Sequence, residues 1–384
     1  MSTGTSLRVA LCAALCAGLL TARAARAHIE SASAQSALAA WPWDVAVALL
    51  IAALVYARGL ARMRDKREAR LSGRHWAFYA GLAAVFAALL TPLDAVSEHV
   101  FAVHQIQHLL LRGVAPMLLM LAVPSVPLIA GLPVALRQRV VAPLMAQRSV
   151  RACFAFLGRP LVCTMLYVGT LYIWQVPAIH DMALLRGGWH YLMHLTMLLS
   201  GLLFFWVVFD PRPQPWATPF HTRLAMLGAA IFANIPLGAV TTLKDSVSYA
   251  AYDRLGRWWG LSPLDDELLG GLVIWIAASM MGLLAVLLLV RLWGRSEERL
   301  DERRRQGFAM PANGRGRTIP AGDAAAARRR IGWGLALIPI VVLGGVLALA
   351  LWLTWHAVKP PLPVAPLQRI GASAPACVSL GFSA

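Results

Sequence analysis

Two His-x-x-x-His pairs, His104/His108 and His190/His194, stand near the starts of two separate apolar segments. Residues four apart share one face of a helix, roughly 5–6 Å between Cβ atoms, so both imidazoles of a pair can reach one ion. Polar groups in hydrocarbon are costly, and four of them at one depth need a ligand or a partner. Met117, Met120, Met193 and Met197 lie on the same two segments. Thioethers suit Cu(I), and imidazole suits either copper state. A copper ion held near one membrane surface is therefore the simplest chemistry for this set. The competing role is structural: histidines can hydrogen-bond between helices and hold a bundle together, and methionine is common in apolar cores. His99 and His180 precede the two pairs in outer loops, where they could capture an incoming ion, with Asp94, Glu98 and Asp181 nearby. Arg112 lies one turn beyond His108 and is deep enough to need a carboxylate, a heme propionate or a partner protein.

The elements that position these side chains are membrane helices. The chain has 384 residues, 59% hydrophobic and 14% charged, which excludes an ordinary soluble domain. The formal charge of +17 is concentrated in a few loops, as the positive-inside rule expects. No basic-aromatic motif of a nucleic-acid module accompanies it. Apolar runs near the roughly 20 residues that cross a bilayer predict eight spans, at 44–63, 75–93, 102–130, 161–178, 189–209, 222–243, 268–293 and 331–355. The expected fold class is thus all-α, a polytopic membrane helix bundle. Arginine and lysine crowd the odd connections (Arg58 to Arg74, Arg137 to Arg159, Arg212 with Arg223, Arg291 to Arg330), which places those on the cytoplasmic side. The histidines and both mature termini then face outward, into the periplasm of a bacterial inner membrane.

Flanking segments complete the expected organisation. Residues 1–27 read as a signal peptide: Arg8, the apolar Val9 to Leu20, and Ala25-Arg26-Ala27 before the cleavage point. Cleavage there would expose His28 as a mature N-terminal residue, whose amine and imidazole could chelate Cu(II) or simply end a mobile tail. Residues 28–295 form a seven-helix membrane core. A flexible basic cytoplasmic loop at 296–330, an additional span at 331–355 and a Pro-rich periplasmic tail at 356–384 follow. The five cysteines include no C-x-x-C, so neither a thiolate cage nor a redox pair is supported. Asn234-Ile235-Pro236-Leu237-Gly238 interrupts the sixth span, because proline removes an amide donor. Asp265-Asp266-Glu267 stands before the seventh span, where acidic residues favour the helix dipole.

At this point the residues resemble a known family. His104-Gln105-Ile106-Gln107-His108-Leu109-Leu110-Leu111 looks like the signature H-x-x-Q-H-L-L-L of the multi-spanning CtaG-type cytochrome c oxidase assembly factors. Ala122-Val123-Pro124, Leu93-Asp94, Trp189-His190 with His194, and Asp266 before Gly270-Gly271-Leu272 match weaker recurrent features across about residues 41–295. The signature adds Gln107 to the candidate set. The resemblance implies maturation of a heme-copper oxidase, with copper delivered to an oxidase subunit from the outer face, after receipt from a periplasmic donor. One departure stands out: where the family often has Trp-His-x-Pro, this chain has Trp174-Gln175-Val176-Pro177, so that histidine's role is missing or moved to His180. No nucleophile–base pair or phosphate loop is present, so no enzyme is expected. A heme-binding electron carrier and a copper transporter remain the alternatives. A di-metal membrane hydroxylase is disfavoured by the outward placement of the histidines.

Overall fold

The computed structural model describes residues 42–63, 72–212 and 216–305. The expected signal peptide, His28, the linker beyond Arg305, the eighth span and the Pro-rich tail lie outside the described residues. Among the described residues every regular element is helical and no strand occurs. In chain order they are α1 Trp43–Arg62, α2 Ser72–Leu89, α3 Pro92–Ser97, α4 Phe101–Leu121, α5 Ser125–Gly131, α6 Val134–Ala146 and α7 Arg148–Leu157. They continue with α8 Pro160–Trp174, α9 Pro177–Leu184, α10 Gly187–Val208, α11 Phe220–Leu243, α12 Ala251–Leu255 and α13 Pro263–Glu302.

Helices α1, α10, α11 and α13 are each long and apolar enough to cross a membrane. The count rises to 7 when each of three bent pairs is taken as one span. This is a membrane protein. Its outward side chains are apolar where a soluble protein would place polar ones: Leu50 and Leu54 are each 59% exposed, and Leu161 and Leu287 each 67%.

Several expected spans take a different form. The third and fourth are not straight. The chain bends by 75° between α4 and α5, and by 77° between α8 and α9. The first bend passes through Val123 at φ 52, a left-handed conformation costly for a β-branched residue. The second has Val176 extended before Pro177, since the pyrrolidine ring disfavours helical geometry in the residue ahead of it. The loop after the third span is also helical: α6 and α7 meet at 71° and carry the arginines expected there. Conversely, the expected break at Pro236 is absent, and α11 runs unbroken through it. The Tyr172 hydroxyl donates to the Ala233 carbonyl at 2.7 Å, so a neighbouring helix supplies a donor to the turn that proline weakens. Finally, helix continues from Ala278 to Arg305, so residues 296–305 extend the seventh helix and do not open a loop.

Helix α4 packs against α2, α10 and α13, and α10 packs also on α8 and α9. The two histidine helices come into close contact at Gly201, where a methyl group would collide with the Arg112 carbonyl. Glycine there lets the two backbones touch.

Candidate metal centre

The start of α4 is held by a side chain from another helix. Its own capping position, Val100, offers no side-chain acceptor. Asp266, from the first turn of α13, takes that role: the amides of Phe101 and Ala102 donate to its two oxygens, each at 2.9 Å. Asp266 also pairs with Arg257, which donates in turn to Asp253 at 2.9 Å. The neighbouring Glu267 accepts from the amides of Ser248 at 3.0 Å and Tyr249 at 2.9 Å, and pairs with Lys244. Both carboxylates are fully buried, and a buried carboxylate is tolerable only when charge-paired and hydrogen-bonded in this way. Asp266 and Glu267 therefore fix the 244–257 segment, with Tyr249 and Tyr252, over the start of α4. The dipole of α13, the role expected from sequence, is the lesser part of what these acids do.

The imidazoles converge beneath that segment. His104, His190 and His194 each offer one ligand atom, and these atoms lie within 4.8 Å of one another. His104 stands 4.4 Å from His108, 5.2 Å from His190 and 5.7 Å from His194, ring centroid to centroid. The α10 pair is separated by 4.4 Å, the same spacing as the α4 pair. The Nε2 atoms of His104, His190 and His194 are buried without a hydrogen-bond partner, and so are both ring nitrogens of His108. A buried polar atom left unpaired costs about 1–3 kcal/mol, so this concentration of lone pairs and N–H groups fits an ion as its partner. An ion with metal–nitrogen bonds of 2.0–2.1 Å in trigonal array needs nitrogens about 3.5 Å apart.

A family model for the cytochrome c oxidase caa3 assembly factor (Caa3_CtaG) matches residues 54–296, which include all of these side chains. The chain belongs to this family. Among its relatives, uncharacterized proteins of Mycobacterium bovis and Mycobacterium tuberculosis are each 27% identical over 276 residues, covering 69% of this chain and 41% of theirs. One from Mycobacterium leprae is 25% identical over 269 residues, covering 68% of this chain and 41% of its own. The chain thus spans about two fifths of the length of these relatives. No solved structure matches it.

The remaining candidates divide by what their polar atoms already touch. His180 is not in an open loop: it is fully buried in α9, 5.0 Å from His104, and both its nitrogens are engaged. His99 stacks on Trp258 at 4.4 Å and its Nδ1 lies 2.8 Å from the Gly256 carbonyl, away from the cluster. Gln107 donates to the Ala88 carbonyl at 2.8 Å and to Asp94 at 2.6 Å, which ties α4 to α2 and α3. Burial raises the Asp94 carboxyl to about 6 against the opposing pull of that hydrogen bond. Met193 and Met197 are buried with Leu171, Trp174 and Ala183 in an apolar cluster. Among the described residues Arg112 meets no carboxylate: it lies 3.7 Å over the Tyr167 ring and donates to the Tyr167 carbonyl at 3.2 Å. Its Nη2 is unpaired. Together with His108 and Gln105, Arg112 lines a cavity of about 20 Å³, room for one water.

The sequence had pointed to Glu98 as a nearby carboxylate and to Gln175 as a departure from the family pattern, but not to Tyr252. Gln175, standing where the family often has histidine, is buried; it donates to Gln105 and accepts from Tyr249 at 3.1 Å. Tyr252 contacts two histidines at once, and burial beside the Asp266 charge pushes its phenol well above the ordinary range, so it stays an O–H. Glu98 lies 3.9 Å from His190 Nδ1, and its side chain is 46% exposed. Tyr252 carries no recognisable spacing in the sequence, so its contact with two histidines was not legible there.

Proposed function

We propose that this assembly factor binds copper through His104, His190 and His194, with His108 as the adjoining ligand, and passes it to a subunit of a heme-copper oxidase. Membership of the caa3 assembly-factor family supports the client complex. The observation that carries the copper reading is the meeting of unpaired, buried nitrogens from two helices within 4.8 Å. Nitrogen donors of this kind suit copper in either oxidation state. Copper is here the cargo. Binding requires neutral imidazoles, so proton release accompanies loading wherever a ring was charged. The arginine-rich connections support an orientation in a bacterial inner membrane with the cluster at the periplasmic side, where a donor could reach Glu98 and His190. An ion fits the cluster better than heme does, because imidazoles packed at 4.4–5.7 Å leave no gap between them for a porphyrin plane.

The test is metal content of detergent-purified protein together with oxidase maturation in cells lacking the native gene product. Wild type should carry about one copper per chain and restore oxidase activity. His104→Ala with His190→Ala should insert normally, lose the copper and fail to restore activity. Full restoration by that double variant would defeat the proposal.

A further inference from the structure

We infer that Tyr252 and His180 are positioning residues that set the tautomer of His104 and leave its Nε2 as the lone pair offered to the ion. The inference rests on the cluster being a metal site, but the hydrogen-bond logic behind it does not.

The chain of donors starts at a group with no choice. The Trp174 carbonyl can only accept, and it lies 3.0 Å from His180 Nδ1. That nitrogen therefore carries the hydrogen. A neutral imidazole has one N–H, so His180 Nε2 is a bare acceptor. The Tyr252 hydroxyl lies 2.8 Å from it and must donate its only hydrogen there. What remains on the phenol oxygen is lone-pair density, and His104 Nδ1 lies 2.7 Å away. His104 must then carry its hydrogen on Nδ1, which leaves Nε2 bare. That Nε2 is the buried nitrogen without a partner. Free histidine favours the opposite tautomer, with the hydrogen on Nε2, so an unassisted His104 would present an N–H to the cation.

The relay crosses four elements. It begins where α8 bends into α9, passes through α12 and ends on α4. Orienting partners of this kind typically change metal affinity about 10- to 100-fold when removed. The break at Pro177 and the segment anchored by Glu267 thereby acquire a role at the ion. His180 acts through Tyr252, and its nitrogens are both spent, so it is no ligand itself.

The test uses the full-length protein with 15N-labelled histidine, metal-free, with the His104 signals assigned by their loss in His104→Ala. Wild type should show His104 protonated on Nδ1 and bare at Nε2. Tyr252→Phe should shift the population toward the Nε2–H form and weaken copper binding about 10- to 100-fold, with the helical circular dichroism unchanged. His180→Gln, whose amide oxygen can accept the same O–H, should retain the wild-type tautomer; His180→Leu should lose it. Finding the wild-type His104 hydrogen on Nε2 overturns the relay whatever copper does. The expected tautomer in protein that binds no copper under any loading condition supports the relay and overturns the metal reading.

Discussion

The two His-x-x-x-His pairs share a spacing and differ in how they are held. On α4, His104 and His108 are 0% and 3% exposed; on α10, His190 and His194 are 8% and 7% exposed. The α4 pair is braced twice, by Asp266 on the helix start and by Tyr252 on His104. The start of α10 has no side-chain cap, and the carboxylate nearest the His190 ring is the half-exposed Glu98, 3.9 Å from Nδ1. One half of the site is therefore fixed and the other is adjustable. Any tightening of the cluster around a bound ion would fall to α10, the less braced side.

Removing the brace should do most to erase the difference. Asp266→Asn takes away the charge opposite buried Arg257 and weakens the cap on α4, and breaking a buried ion pair costs about 3–5 kcal/mol. We expect a loss of that order in unfolding free energy, measured by denaturant titration in detergent, and loss of copper binding alongside. A variant as stable as wild type would mean the brace is dispensable.

A smaller effect follows from changing the separation of the two halves. At Gly201, leucine would force α10 away from the Arg112 carbonyl; overpacking of this kind costs about 1–3 kcal/mol. Copper affinity should fall while both histidine pairs remain intact. Unchanged affinity in Gly201→Leu would show that the halves need not approach.

Asp94 offers a pH test on the fixed side. Its carboxyl is raised to about 6 from an ordinary 3.8, chiefly by burial. A raised carboxyl favours the protonated folded state. Its stabilising contribution is thus complete below about pH 4 and is lost as pH rises through 6. Asp94→Asn should flatten that part of the stability–pH profile and be the more stable protein at pH 7.5. An unaltered profile between pH 4 and 7 would rule this out. The smallest change is expected at the rim: Glu98→Gln should slow copper uptake a few-fold in stopped-flow mixing and leave the equilibrium occupancy unchanged. A loss of occupancy instead would make Glu98 a ligand.

The sequence made the histidine pairs legible because helical periodicity is local, and i, i+4 spacing needs no knowledge of the fold. It also made membrane helices legible through apolar run length. It ran the third span straight through the bend at Val123, because hydropathy does not register direction, whereas the fourth ended beside the bend at Pro177. It expected Pro236 to break α11, whereas Tyr172 supplies a donor across the helix boundary. His180 looked like a surface capture residue because it lies between two apolar runs; burial by Tyr252 and the α8–α9 bend is a tertiary fact. The roles of Asp266 and Glu267 were hidden for the same reason: their partners stand well over a hundred residues away in one case and across a loop in the other.

X-ray absorption at the copper edge of the loaded, detergent-purified protein tests the central claim most directly. The account predicts three or four nitrogen neighbours at about 2.0 Å, with the outer-shell scattering of imidazole, and loss of that pattern in His104→Ala. A first shell dominated by sulfur at about 2.3 Å, or an unchanged imidazole pattern in His104→Ala, would contradict it.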